Sequence, residues 1–178
     1  RVRGDLRIAA PMAFGMRYLT PILATIAKQY PELSLDVEFD DRRVNLHEEG
    51  FDAAVRIGEL PDSSLVAKII TPNRHIICAS PDYLKQRGVP EHPAQLSEHD
   101  GLDWDGLAPL FAWRFEQDGQ MQLHRPARVR MSANNAEALV CGALAGLGIA
   151  HLPTWLASEY LLRGELLPLF CENGLPSP

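Results

Sequence analysis

Six histidines, three cysteines and two adjacent carboxylate pairs are the residues of this chain whose types could carry chemistry. Their spacing supports none. His47, His75, His92, His99, His124 and His151 are dispersed, with no close pairing in sequence that would seat two on one metal ion. Cys78, Cys141 and Cys171 show no C-x-x-C spacing. An odd, unpatterned set argues against a disulfide framework and against a zinc site, and fits a reducing cytoplasm. Asp40-Asp41 and Glu48-Glu49 are neighbours, and neighbouring side chains point apart on helices and strands, so both pairs read as solvated surface rather than as an acid/base couple. Gly146-Leu147-Gly148 lies between a helical and a strand-like segment, the reverse of the order in a phosphate loop, and a helix stop explains it. There is no G-x-S-x-G elbow, dinucleotide-type glycine fingerprint, Walker loop or H-E-x-x-H. No catalytic residue, metal or cofactor is expected, and the chain does not read as an enzyme.

Composition bounds the remaining classes. The 178 residues, 46% hydrophobic and 22% charged, are enough for one domain or two small lobes of ordinary globular character. The longest apolar runs, such as residues 76–79, are far short of a membrane span. A formal net charge of −6 makes the chain a poor direct partner for DNA phosphates. Arg125, Arg128 and Arg130 form a short basic cluster that reads as the wet face of a strand. The chain starts at Arg1 without a methionine, so a piece of a longer protein is expected.

The elements follow from periodicity and punctuation. A β-prone opening over residues 5–10 ends at Pro11. Over residues 14–30, Leu19, Ile22, Leu23, Ile26, Ala27 and Tyr30 recur on one helix face, which stops before Pro31. Leu33, Leu35, Val37 and Phe39 alternate with polar residues as a half-buried strand. A short helix over residues 43–49, a continuous buried strand over 51–57 and further strands over 65–70 and 74–79 complete an α/β lobe with a largely parallel sheet. Ser80-Pro81 opens a second unit with a helix over 81–87. Residues 90–109 give no clear element. Strands over 111–116 and 121–124 flank Asp118-Gly119, a hairpin signal. A strand over 128–131 precedes Ser132 and Asn134, read as capping residues for a helix carrying Leu139, Val140, Ala143 and Leu144. A strand over 148–152, a helix over 154–162 and a last strand over 165–170 follow. Trp104 and Trp113 read as packing residues.

Seven segments in register carry a family resemblance. They are Gly4-Asp5-Leu6-Arg7-Ile8; Pro11 with Phe14-Gly15; Tyr30-Pro31; and Glu49-Gly50-Phe51-Asp52-Ala53-Ala54-Val55-Arg56-Ile57-Gly58. The others are Asp62-Ser63-Ser64-Leu65-Val66-Ala67, Cys78-Ala79-Ser80-Pro81-Asp82-Tyr83-Leu84 and the run from Ala143 to Pro153. Together the chain resembles the effector-binding domain of LysR-type transcriptional regulators. The resemblance implies a type II periplasmic-binding-protein-like fold of two α/β lobes with central mixed sheets and an effector cleft between them. It places the first lobe at residues 1–74, the second at 75–170 and an irregular tail at 171–178. It also implies an N-terminal winged helix-turn-helix domain absent from this stretch, and a first lobe lacking its usual C-terminal return segment. The implied protein senses a small molecule, forms a homodimer or higher homo-oligomer, touches DNA only through that missing domain, has no membrane contact and works in the cytoplasm. The alternative is a solute-binding protein of the same fold serving transport.

In open α/β sheets ligands gather beyond the carboxyl ends of the strands. That rule and the resemblance select Met12, Ala13, Phe14, Asp41, Arg42, Arg56, Ile57, Gly58 and Ser64 in the first lobe, and Asn134, Asn135 and His151 in the second. Helix N-termini at Phe14 and Asn135 would offer unpaired amides to an anion or carbonyl oxygen. Relatives often carry a hydroxyl residue in the first loop, where this chain has Pro11-Met12-Ala13-Phe14. Plainer readings stand beside these. Arg56 can pair with a local carboxylate, Asn134 can serve as an N-cap, His151 can be a satisfied core histidine, and Ser63 and Ser64 can simply turn the chain.

Overall fold

A computed structural model describes residues 2–41, 49–58, 60, 65–104, 112–117 and 119–171. They form two compact units, Arg1–Lys68 and Ile69–Pro178.

The first unit is built on β1 (Gly4–Ala10), β2 (Leu33–Phe39) and β3 (Ala53–Ala54), in the sheet order β2-β1-β3 with both pairings parallel. Between β1 and β2 runs one helical segment: α1 (Met12–Phe14), a π-helical turn at Gly15–Leu19, and α2 (Thr20–Gln29). It begins two residues before the expected start and ends ahead of Pro31 as expected. Gly15 allows the close approach to the sheet, because a Cβ there would lie 2.5 Å from the Phe39 ring. The expected stripe is only partly buried: Leu23 is in the core, whereas Ile22 is 56% exposed. On β2 the burial alternates over residues 33–37 as the sequence pattern required, and Glu38 departs from it, half-buried where it pairs with Arg7. Arg7 of β1 lies opposite Asp36 in the register, pairs with it at 3.1 Å, and stacks 4.5 Å over the Phe51 ring.

Two expected strands fail, one in this unit and one across its boundary with the next. The run 51–57 is a strand only at Ala53–Ala54, and Ile57 is exposed. Among the described residues β3 is an edge with one neighbour, so its ends lack ladder partners on the other side. Residues 65–70 form no strand, and Val66, Ile69 and Ile70 are 100%, 89% and 77% exposed. Strand propensity without a pairing edge does not make a strand. The short helix expected over 43–49 lies outside the described residues except Glu49.

The second unit holds a mixed five-stranded sheet, in the order β10-β4-β9-β5-β8. Its strands are β4 (His75–Ala79), β5 (Asp100–Trp104), β8 (Arg128–Ala133), β9 (Ile149–Pro153) and β10 (Leu167–Pro168). β4 runs antiparallel to β9 and β10, and β5 runs parallel to β8 and β9. β9 is almost wholly apolar because both sheet faces are covered. On one face Leu139, Val140 and Ala143 of α4 (Ala136–Leu144) and Leu156 of α5 (Thr154–Leu162) pack over Cys78, Ala150 and Leu152. On the other, Tyr83 and Leu84 of α3 (Pro81–Arg87) and Leu96 join Trp113 and Phe115 of the antiparallel hairpin β6 (Trp113–Gln117) and β7 (Gln120–His124).

The stretch that gave no clear element contains a 3-10 helix, Pro93–Glu98, capped by His92 and Gln95, and the buried strand β5. Its Asp100-Gly101-Leu102-Asp103-Trp104 sequence conceals a strand because its first carboxylate is neutralised from outside: Arg128 Nε lies 2.7 Å from Asp100 Oδ1. Residues 165–170 form a strand only at Leu167–Pro168, where the proline has no amide to extend the ladder. Trp113 is buried as expected, while Trp104 is 39% exposed.

Candidate functional site

Parallel pairing in register brings three strand ends of the first unit to one edge. Ala10 lies level with Phe39, and Ala9 level with Ala54. The ladder extends one step further, with the Asp40 amide donating to Ala10 O and the Val55 amide to Ala9 O, both at 2.9 Å. The segments that leave this edge carry Met12, Ala13 and Phe14; Asp41; and Arg56, Ile57 and Gly58. The sequence assigned all of these to a site. Ala13 is buried, Met12 is 41% exposed, and Phe14 packs on Tyr18 with ring centroids 5.2 Å apart. Ile57 and Gly58 are exposed, and Gly58 has φ +96°. Arg42 and Ser64 lie outside the described residues.

Two electrostatic features distinguish this edge. The Met12 amide, at the start of the helix, donates to Asp41 Oδ1 at 3.0 Å. The first helix therefore begins at Met12 rather than Phe14, and a carboxylate of the chain itself takes up one of the amides expected to be open to an anion. Half-buried Arg56 has its guanidinium pKa lowered by loss of solvent, while Asp40 and Glu49 act in the opposite direction. A cation with carboxylates acting on it, beside a Met/Phe apolar patch, can grip a polar group of a small molecule.

In the second unit, Asn134 and Asn135 follow β8. The cap is Asn135: its Oδ1 accepts from the Glu137 amide at 2.8 Å, with the backbone extended ahead of α4. The capping role read for Asn134 thus falls to its neighbour, and Asn134 is exposed. His151 stands in mid-β9, on the face covered by the β6–β7 hairpin, its ring 6.0 Å from Trp113 and 4.8 Å from His75. Burial pushes its pKa down to about 3, with a further lowering from His75. Asn134 follows β8 and His151 lies in β9, strands two places apart in the sheet, roughly 10 Å laterally at the usual strand spacing. The sheet places them in one layer without bringing them into contact.

His75 is the residue that sequence spacing missed. It lies 76 positions before His151, and only the antiparallel β4–β9 pairing makes them neighbours. Both strands were legible, but their partnership was not. Among the described residues no group of three or more His, Cys, Asp or Glu could hold a metal ion. A surface recess of about 300 Å³ lined by Ser80, Pro81, Asp82, Leu144 and Glu165 contains none of the expected site residues. No helix of the described residues is long and apolar enough to cross a membrane.

Comparison with known proteins gives this geometry its context. A family model described as the LysR substrate binding domain matches residues 1–178. An HTH-type transcriptional regulator of Haemophilus influenzae is 35% identical over 171 residues, covering 96% of this chain and 59% of the relative. The HTH-type transcriptional regulator DmlR of Escherichia coli is 32% identical over 179 residues, covering 98% of this chain and 57% of the relative. The chain thus spans little more than half the length of these curated relatives. The regulatory domain of CrgA, a LysR-type transcriptional regulator from Neisseria meningitidis, superposes with a TM-score of 0.83 at 30% identity, covering 99% of this chain and 84% of that one.

Proposed function

Because this chain belongs to the LysR substrate-binding domain family, we propose that it is the effector-sensing and dimerisation part of a transcriptional regulator whose DNA contacts are made by a separate helix-turn-helix domain. The observation that carries this reading is the family match over residues 1–178, joined to a three-strand edge that gathers Met12, Asp41 and Arg56. The ligand is a small molecule held by strand-end residues of the first unit; Asn134 is a candidate contact of the second unit taken by itself. Binding shifts the population of conformations, and that shift reaches DNA through the helix-turn-helix domain. The protein acts in the cytoplasm, as a homo-oligomer, and is not an enzyme. Transport is not favoured: the matched relatives are transcriptional regulators.

A thermal-shift screen of metabolites tests the reading, since a ligand present at 100 times its Kd adds about 2.7 kcal/mol of stability. Calorimetry of the hit on Arg56→Ala and Asn134→Ala then locates it. Unchanged affinity in both variants, with folding intact, would move the site elsewhere.

A further inference from the structure

Two imidazoles far apart in sequence share one face of the second unit's sheet. His75 opens β4 opposite Pro153, and His151 lies opposite Ile77, so the histidines are diagonal cross-strand neighbours. Their ring centroids are 4.8 Å apart, with planes inclined at 47°, and the Trp113 ring lies 6.0 Å from His151. His75 Nδ1 and His151 Nε2 are buried, and neither has a hydrogen-bond partner among the described residues. Asn73 Oδ1, two residues before His75, is buried and unpartnered in the same way. Buried polar atoms are nearly always satisfied, so these orphans call for an occupant.

The chemistry of the orphans indicates which occupant. Neutral imidazole, the predominant form above its ordinary pKa of ~6.5, keeps a lone pair on one ring nitrogen. A metal ion takes imidazole in that neutral form. Two imidazoles bound to one ion at the usual ~2.0–2.1 Å place their ring centroids about 4.5–5.2 Å apart for ligand angles between square and tetrahedral. The observed separation falls in that range. The other histidine pair provides a contrast. His92 and His124 are 6.4 Å apart, and His92 is already engaged, its Nδ1 accepting from the Ala94 amide and its Nε2 facing Gln117 Nε2 at 3.0 Å.

We propose that His75 and His151 form a two-imidazole site for a borderline divalent transition-metal ion, with the Asn73 amide oxygen as a third donor and solvent completing the shell. Imidazole suits zinc, nickel and copper alike, and the general order of affinities puts Cu²⁺ ahead of Ni²⁺ and Zn²⁺. The site uses residues of the second unit alone, and it stands whether or not the effector reading does.

Calorimetry of the chain with CuCl₂, NiCl₂, ZnCl₂ and MgCl₂ tests the proposal, on the wild type and on His75→Ala, His151→Phe and the control His92→Ala. The expected result is saturable binding of one Cu²⁺ per chain, weaker binding of Ni²⁺ and Zn²⁺, and none of Mg²⁺. Affinity should fall at least about ten-fold in His75→Ala and in His151→Phe, and stay unchanged in His92→Ala. Because a core variant can fail to fold, nitrogen hyperfine structure in the Cu²⁺ spin resonance spectrum of the wild type gives a second readout, and two equivalent imidazole nitrogens are expected. No saturable binding tighter than about 1 mM, a spectrum without two imidazole nitrogens, or affinity unchanged in both folded variants would overturn the site and leave the orphan atoms to bridging water.

Discussion

Arg56 leaves the first sheet between Asp40 and Glu49, partly out of water, so its charge is available but not isolated. A charge-assisted hydrogen bond to an effector is worth about 1.5–3 kcal/mol. Arg56→Ala should therefore weaken effector binding by roughly ten- to a hundred-fold, at 1.4 kcal/mol per decade, as calorimetry on the screened ligand will show. His151 makes a separate prediction about pH. In the unfolded chain its imidazole takes up a proton near pH ~6.5, whereas in the fold it stays neutral down to about 3. The unfolded state thus binds more protons in that window. Stability is full above about pH 6.5 and drains as pH falls towards 3, by up to about 1.4 kcal/mol per pH unit from this group. Denaturant titrations at several pH values should show a flatter acid limb in His151→Phe than in the wild type. Sequence reasoning reached the first-unit residues because an α/β order implies parallel strands whose ends share an edge. It did not reach His75, whose role depends on which strand lies beside β9, and it chose Asn134 over Asn135 because two adjacent cap-forming residues differ only in backbone geometry.

At the scale of elements, strands with a clean alternation or a continuous apolar run, such as β2 and β9, were legible. The strand β5 was not, because its buried Asp100 is made tolerable by partners that no local pattern contains. Arg128 holds the carboxyl below the usual carboxylate range, chiefly by hydrogen bonding. The Tyr83 hydroxyl accepts from the Asp100 amide at 2.9 Å. Tyr83→Phe removes that acceptor and leaves a buried N–H unmatched, so a loss of about 1–3 kcal/mol is expected in equilibrium unfolding. The turn into β9 gives a steric counterpart. A Cβ on Gly148 would lie 2.7 Å from Asp100 O, on the backbone of the neighbouring strand. Gly148→Ala should cost about 1–3 kcal/mol as the two strands are pushed apart, measurable as a lower denaturation midpoint with an unchanged slope.

For the molecule as a whole, a net charge of −6 disfavours direct contact with DNA phosphates. This chain alone should show no specific micromolar binding to duplex DNA at physiological salt in an anisotropy titration. Under the proposed reading, self-association would fall to apolar surface such as Met16 and Ile22 of the first helical segment, 61% and 56% exposed. In a two-fold interface each substitution is felt twice. Ile22→Asp should lower the dimer fraction in light scattering while leaving the circular dichroism unchanged. A wild type that is strictly monomeric at high concentration would count against the dimer. The contact between Asp41 and the Met12 amide also bears on how such a sensor would behave. The carboxylate is a tethered competitor, present at an effective concentration in the millimolar range or above, and any free anion seeking that amide must displace it. Abundant simple acids would then pass unnoticed, and the domain would have a built-in threshold. Removing it with Asp41→Ala should make the chain respond to acetate or formate at concentrations the wild type ignores.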